Sequence, residues 1–257
     1  MNPNTFIEVV LQFFVYGFIG WLWETGLYLV KEHHFVSRGF LIGPIIPIYG
    51  FGVLAVLYLL KPWVNNIVLL YISATIVVTA LEFLTGYLLE KIFHTKWWNY
   101  EKVPLNLGGY VALPVSLFWG ICCVLIVEFV QPQVLAWVDW AGATFGLLLP
   151  VVLIAIGMFD FGFTLANLQS FRQRMEKLNA TIEDRKAKLS TELGEVRTDL
   201  QQNWDDVLKD NPKLAARLSN LSFGQRHLLK SFPNMKMKNI TSPTTEIKDL
   251  VEALRKK

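Results

Sequence analysis

Long apolar stretches alternate with short polar segments over the first two thirds of the chain. A helix needs about 20 apolar residues to cross the hydrocarbon core of a bilayer. Five stretches reach that length, at about residues 6–30, 40–60, 67–92, 110–130 and 143–163. The pattern predicts an all-α, polytopic membrane bundle of five transmembrane helices, which forms a transmembrane domain over residues 1–164.

The remaining residues, 165–257, show a different periodicity. Apolar residues recur every three or four positions, and after one phase shift the pattern resumes at Leu193; its first members are Leu168, Phe171, Met175, Leu178 and Ile182. Such spacing is typical of a coiled coil. We expect a long helix over residues 165–209 that continues the fifth span, and a short amphipathic helix over residues 224–232. A single apolar stripe needs a partner, which is either a second copy in a homodimer or another helix of the tail.

Composition supports this division. Of the 257 residues 53% are hydrophobic and 18% are charged, whereas about 25% are charged in an ordinary soluble domain. Residues 1–164 carry 6 Lys or Arg and 9 Asp or Glu, and residues 165–257 carry 18 and 12. The net charges are therefore −3 and +6. This segregation excludes a single soluble globule, and two adjacent cysteines exclude a disulfide scaffold.

The basic residues also predict an orientation. On one side of the predicted membrane the N-terminus and the loops hold 0, 1 and 0 Lys or Arg, and on the other side the loops and tail hold 2, 3 and 18. Cytoplasmic loops carry the excess of basic residues. We therefore expect the N-terminus outside and the tail in the cytoplasm.

A weak internal repeat links two parts of the chain. Residues 39–50 align with residues 109–120 so that Gly, Pro and Gly coincide at three positions. Either two apolar segments match by chance, or the chain contains a duplicated two-helix unit. Pro47 lies deeper in its span than a helix start, so it should bend or open the helix. An opened backbone is tolerated in a membrane only where protein or a water-filled cavity surrounds it.

Several motifs resemble a known family. They are Gly20-Trp-Leu-Trp-Glu24, Arg38-Gly-Phe-Leu-Ile-Gly-Pro-Ile-Ile-Pro-Ile-Tyr-Gly50, Trp97-Trp-Asn-Tyr100, Pro104-Leu-Asn-Leu-Gly-Gly109 and Leu117-Phe-Trp-Gly120. Together they resemble the putative ABC-transporter type IV family over about residues 10–130. The resemblance implies a permease-like transport subunit in a bacterial plasma membrane.

Two acidic residues inside predicted spans are the main candidates for function. Glu24 lies in the first span and Glu82 in the third, and Arg38 lies at the nearby mouth of the second. A charge at mid-helix costs about 2.5–3.5 kcal/mol even on a lenient scale, so such residues usually face a bundle interior. Either the three line a polar pocket that binds a cationic or polar substrate or relays protons, or the acids only join helices and Arg38 only anchors the membrane face.

The loop between the third and fourth spans is a second candidate. Its aromatic and polar residues could fold over the pocket at the cytoplasmic mouth, or they could form an interfacial belt with a turn; they are Trp97, Trp98, Tyr100 and Asn106. Three further acids near span ends are expected to lie among headgroups or in water, namely Glu90, Glu128 and Asp160.

Other chemistry is sparse. The sequence contains no P-loop, no Gly-x-Ser-x-Gly and no His-Glu-x-x-His segment, so we expect no enzyme activity, no metal and no cofactor. An ATPase, if one drives the protein, is a separate chain. The expected partners are the lipid bilayer, a second copy through residues 165–209 and that ATPase, but not nucleic acid. The alternative to a permease is a non-transporting membrane scaffold that presents a dimeric coiled coil.

Overall fold

A computed structural model describes residues 3–193, 221–232, 235–237 and 240. This part of the chain is mostly helical. Its α-helices are α1 (Pro3–Glu32), α2 (Pro47–Leu59), α3 (Ile67–Phe93), α4 (Leu113–Leu125), α5 (Gln131–Phe145), α6 (Leu148–Leu193) and α7 (Phe223–Ser231). Four two-residue strands form two antiparallel pairs, in which β1 (Thr95–Lys96) pairs with β4 (Lys236–Met237) and β2 (Asn106–Leu107) pairs with β3 (Val111–Ala112).

In the described part of the chain, four helical stretches are long and apolar enough to cross a membrane. They are Asn4–Glu32, Ile67–Phe93, Leu113–Phe145 and Leu148–Ala180. This finding supports the prediction of a membrane-embedded helical protein. Five full spans are not confirmed, because α2 has only 13 residues.

The second predicted span is helical only in its later part. Residues 36–46, which we call the entry segment, are not helical, and α2 begins at Pro47. A residue before proline disfavours the helical conformation, and Ile46 is extended with φ −114° and ψ 103°. Proline at the first helical position costs no hydrogen bond. The chain therefore opens before Pro47, as the position of this proline suggested.

Residues 131–142 lie between the fourth and fifth predicted spans, and the sequence predicts an outer loop there. That prediction is wrong, because this segment is helical. From Leu113 to Phe145 the backbone stays helical through one π-helical turn, and it reverses only at Gly146, whose φ is +55°. The apolar residues Val134, Val138 and Ala141 recur at helical spacing and are buried against α1. This stripe stabilises a helix in the segment that separates the fourth and fifth apolar stretches of the sequence. The last span accordingly begins at Leu148.

Helices α1 and α2 form one hairpin, and α3 and α4 form a second. In each hairpin a glycine lies where the two helices approach closely. A Cβ on Gly50 would lie 2.7 Å from the carbonyl oxygen of Phe13 in α1, and a Cβ on Gly120 would overlap the side chain of Thr75 in α3. These glycines occupy matching places in the sequence repeat, which supports a duplicated unit. The prolines differ, since Pro114 lies inside α4 and Pro44 precedes α2.

The fifth span continues into the tail as predicted, since α6 is unbroken to Leu193. The first heptad positions of the tail are buried within the chain in one apolar cluster, which we call the tail core. It contains Trp97, Leu168, Phe171, Met175, Leu178, Leu221, Leu228, Leu229, Met235 and Met237. The sequence predicts that the apolar stripe of the tail packs either against a second copy of the chain or against another helix of the same tail. Over residues 168–178 it packs against another helix of the same tail, α7. Residues 194–209 lie outside the described residues, and the homodimer stays a prediction.

Candidate functional site

The first acidic residue is held by the start of the following helix. The hydroxyl of Tyr49 donates a hydrogen bond of 2.7 Å to Oε1 of Glu24. Tyr49 lies in the first turn of α2, and its ring packs against Gly20 of α1, where a larger residue would not fit. On its other side the ring meets Trp119 of α4 edge to face, with 5.5 Å between ring centroids. Both hairpins therefore surround this tyrosine.

The second acidic residue has a similar partner. The hydroxyl of Tyr100 donates to Oε1 of Glu82 in α3 at 3.0 Å. Burial, together with the Glu82 carboxylate, raises the pKa of Tyr100 well above its ordinary value, so the hydroxyl stays protonated and remains a donor. Both acids thus accept from a tyrosine that follows them in the same hairpin unit.

The two acid–tyrosine pairs face a common region. The charge of Glu24 acts on Glu82 and on Tyr100, and the charge of Glu82 acts on Tyr49. Like charges at short range inside a membrane are unfavourable unless a cation or a proton offsets them. The arrangement therefore favours either a positive group among the four side chains or a proton on one of the acids.

Arg38 supplies one such charge from the entry segment. Its backbone N–H donates to Oγ1 of Thr25 at 3.2 Å, and its guanidinium lies 5.0 Å from the ring centroid of Tyr28. Burial lowers the pKa of Arg38, and the charge of Glu24 opposes that shift. Nη1 of Arg38 is buried without a hydrogen-bond partner among the described residues. Arg38 and Glu82 thus each lie within electrostatic range of Glu24, whereas the ammonium of Lys96 donates to the carbonyl oxygen of Gly108 at 2.8 Å.

Of the four candidate residues in the loop, Tyr100 reaches the acids. Trp98 and Asn106 shape the loop instead, because Nε1 of Trp98 donates to the carbonyl of Tyr110 at 2.8 Å and Nδ2 of Asn106 donates to that of Val103 at 2.8 Å. Trp97 turns away and packs in the tail core. The loop therefore folds over the site through one residue rather than four.

Asp160 of α6 has a role that sequence analysis assigned wrongly. Its carboxylate accepts the N–H of Ile42 at 3.0 Å and that of Gly43 at 2.7 Å. It therefore holds the open backbone of the entry segment rather than facing headgroups. The signal was present, since an acid in an apolar span needs a partner, but nothing in the sequence indicated that backbone amides would supply it.

His227 of α7 holds the same segment from another side. Its Nε2 lies 3.1 Å from the carbonyl oxygen of Gly39 and 2.9 Å from that of Leu41. A nitrogen that faces two carbonyl oxygens must carry a proton to bond with either. No sequence pattern pointed to this histidine, because its partners are backbone atoms almost 190 positions earlier.

Within the described part of the chain, no group of three or more His, Cys, Asp or Glu side chains is placed to hold a metal ion. The chemistry that the site offers is electrostatic and hydrogen-bonding. The members of the site are two carboxylates, each bonded by a phenol, and the guanidinium of Arg38 near Glu24.

Comparison with known proteins identifies the family of this chain. A family model described as Putative ABC-transporter type IV matches residues 11–165. No curated protein and no solved structure matches the chain. The match spans more than half of the 257 residues and includes Glu24, Arg38, Glu82, Tyr100 and Asp160, but it ends before α7. The chain therefore belongs to the Putative ABC-transporter type IV family, and it is a membrane-embedded, transporter-related protein.

Proposed function

We propose that the chain is the permease-like membrane subunit of a transporter and that Glu24 and Glu82 bind its substrate. The observation that carries this proposal is the pairing of each acid with a tyrosine, Tyr49 or Tyr100, around a common region. A scaffold that only anchors a tail gains nothing from two acids inside its bundle, and each acid is costly there.

The substrate class follows from the charges. Two carboxylates outnumber the single guanidinium of Arg38, so the site suits a small cationic or polar solute. Such a solute would replace the tyrosine hydroxyls as donor to the carboxylates. The aromatic faces of Tyr28 and Trp119 would attract its cationic group.

The energy source lies outside this chain in the proposal. The sequence has no P-loop, so a separate ATPase or an ion gradient would drive transport, and the chain itself would be no enzyme. We place the protein in a bacterial plasma membrane, with the N-terminus outside and the tail in the cytoplasm, because the short loops obey the positive-inside rule.

The competing proposal is a scaffold that dimerises through residues 165–209. The long α6 favours it, since this helix extends from the membrane domain to Leu193. The buried positions from Leu168 to Leu178 argue against it, because α7 and its neighbours already cover them. A tail dimer would have to use later positions.

A binding experiment distinguishes the two. The purified full chain is heated in detergent with spermidine or choline as probe cations, and the shift of its unfolding temperature is measured. We expect at least one probe to stabilise the wild type and at least a tenfold weaker apparent affinity in Glu24→Gln and Glu82→Gln. Asp139→Asn is the matched control, because Asp139 is an exposed acid on α5. No cation-dependent shift in the wild type, or equal shifts in both glutamine variants, would contradict the proposal.

A further inference from the structure

A segment of the tail contacts the connecting segments of both hairpins, namely the entry segment and the loop between α3 and α4. We call it the tail clamp and define it as residues 223–232 and 235–237. It binds the entry segment in the first hairpin unit: besides the contacts of His227, the hydroxyl of Ser231 donates to the carbonyl of Ser37 at 2.8 Å. Three carbonyl groups of one open segment are thus bonded by one short helix.

The same clamp binds the loop between α3 and α4. Strand β4 pairs with β1, so that Met237 lies opposite Thr95 and Lys236 opposite Lys96. The ammonium of Lys236 also donates to Oε2 of Glu101 at 2.7 Å. This loop carries Tyr100, the partner of Glu82, so the clamp contacts the loop that holds one acid and the entry segment that carries Arg38.

One aromatic residue spans the gap between the two attachments. The ring of Phe232 lies 4.8 Å from that of Trp97 in the loop and 5.8 Å from the guanidinium of Arg38 in the entry segment. It therefore covers Arg38 from the tail side, while the ring of Tyr28 lies on Arg38 as well.

Hydrogen bonds attach the start of the clamp helix to α6. Ser222 and Gln225 form a capping box at the start of α7, and they also bind α6, at Asn167 and Ser170, with hydrogen bonds of 2.8 Å each. The same helix holds the amides of the entry segment through Asp160. Movement of α6 or α7 would therefore be transmitted directly to that segment.

We propose that the tail clamp is a built-in gate that closes the Glu24/Glu82 site on the side of the tail, an inference that rests on the function proposed above. The clamp joins the entry segment to the loop that carries Tyr100. The hairpins therefore cannot separate at this end until the hydrogen bonds of His227 and Ser231 and the pairing of β4 with β1 are broken. The family match ends at residue 165, so this gate lies beyond the part that defines the family.

The gate is tested by the accessibility of the two acids, which needs no knowledge of the substrate. The full chain in lipid nanodiscs is treated with a water-soluble carbodiimide and glycine ethyl ester, and modification of each carboxylate is followed by mass spectrometry. Loss of one typical hydrogen bond shifts an opening equilibrium by about fivefold. We therefore expect His227→Ala/Ser231→Ala to raise the labelling rates of Glu24 and Glu82 at least about fivefold, while Asp139 keeps its rate. Phe223→Ala is the matched control, because this side chain of α7 is 63% exposed.

A second variant acts in the opposite direction and does not depend on the first one folding. In a background with Cys122 and Cys123 replaced by Ala, Thr95→Cys/Met237→Cys places two thiols at paired strand positions. Oxidation should lower the labelling of Glu24 and Glu82 below that of the reduced protein, and reduction should restore it.

The outcomes separate the gate from the site. If labelling follows the clamp but Glu24→Gln and Glu82→Gln leave cation binding intact, the gate stands and the substrate site is wrong. If labelling is the same in the released, locked and wild-type proteins, the gate is overturned, whatever the glutamine variants do.

Discussion

Tyr49 donates a hydrogen bond of 2.7 Å to Glu24, and this contact joins the first turn of α2 to the inner part of α1. It depends on the break before Pro47. If residues 40–60 formed one straight helix, Tyr49 would lie in its middle, and the backbone of the entry segment could not bring Arg38 beside Glu24. The proline that interrupts the span is therefore what assembles the site.

Replacing Tyr49 with phenylalanine tests how much this hydrogen bond contributes to the free energy of unfolding. A hydrogen bond to a charged group contributes about 1.5–3 kcal/mol, so Tyr49→Phe should lower the free energy of unfolding in detergent by about 2 kcal/mol. Tyr58→Phe is a close control, because Tyr58 of the same helix lies 3.4 Å from Glu8 and is 45% exposed. We expect less than about 0.5 kcal/mol there. Equal losses in the two variants would show that Glu24 does not depend on Tyr49.

Gly50 should be intolerant of even one methyl group. A Cβ at this position would lie 2.6 Å from the ring of Phe13 and 2.7 Å from its backbone oxygen, which cannot move without shifting α1. Overpacking typically costs about 1–3 kcal/mol, and Gly50→Ala should lower the unfolding free energy by that amount.

Gly52 of the same helix provides the control for Gly50. A Cβ there meets nothing within 4 Å, so Gly52→Ala should be neutral or slightly stabilising, because alanine favours the helix. Thermal unfolding of both variants in one detergent measures the difference. A stable Gly50→Ala protein would mean that α1 and α2 are not as close as the structure has them.

The acids of the site could be found from the sequence because an apolar span makes any charge conspicuous. Glu24, Glu82 and Arg38 are candidates on that ground, and in the structure Glu24 lies within electrostatic range of the other two. Of the acids' tyrosine partners, Tyr100 is a candidate from the sequence, as one of four residues of the loop, whereas Tyr49 differs from other tyrosines only by position and could not be found. The positions of the two tyrosines depend on where α2 begins and on how the loop folds, and neither is a property of a local window.

The helical stretches show the same limit. Length and hydropathy predicted α3 and the membrane part of α6 well, because long apolar runs leave few alternatives. They misjudged residues 131–142, where Val134, Val138 and Ala141 form a stripe that is informative only once α1 covers it. The first heptad positions of the tail, Leu168 to Leu178, are buried as a stripe. Periodicity predicts such burial but does not show which helix covers the stripe.

Asp160 is expected to be essential for the shape of the entry segment. Replacing it with alanine removes the acceptor for the N–H groups of Ile42 and Gly43 and leaves both amides unpaired. Each unpaired buried donor costs about 1–3 kcal/mol, so Asp160→Ala should destabilise the protein by at least about 2 kcal/mol. Amide hydrogen exchange of residues 38–46 should rise in the variant. Asp139→Ala on the exposed face of α5 should change neither quantity, and unchanged exchange in Asp160→Ala would contradict this role.

The tail clamp should weaken in acid because of His227. Burial lowers the pKa of His227 below its ordinary value of about 6.5, although the two carbonyl groups and Asp160 oppose the shift. The released histidine therefore takes up a proton at a higher pH than the clamped one. The contribution of the clamped, neutral form is complete above about pH 6.5 and falls as the pH is lowered through that value toward the depressed pKa.

His227→Gln separates this effect from every other titration in the protein. A glutamine amide donates to the carbonyls of Gly39 and Leu41 but does not titrate, and His33, His34 and His94 are the same in both proteins. The unfolding temperature is measured in detergent at pH 7.5 and at pH 5.5. We expect the wild type to lose more on acidification than His227→Gln, because only the wild type must keep a buried imidazole neutral. An identical pH dependence in the two proteins would mean that His227 holds the entry segment equally well in its charged form, and the acid-sensitive contact would have to be abandoned.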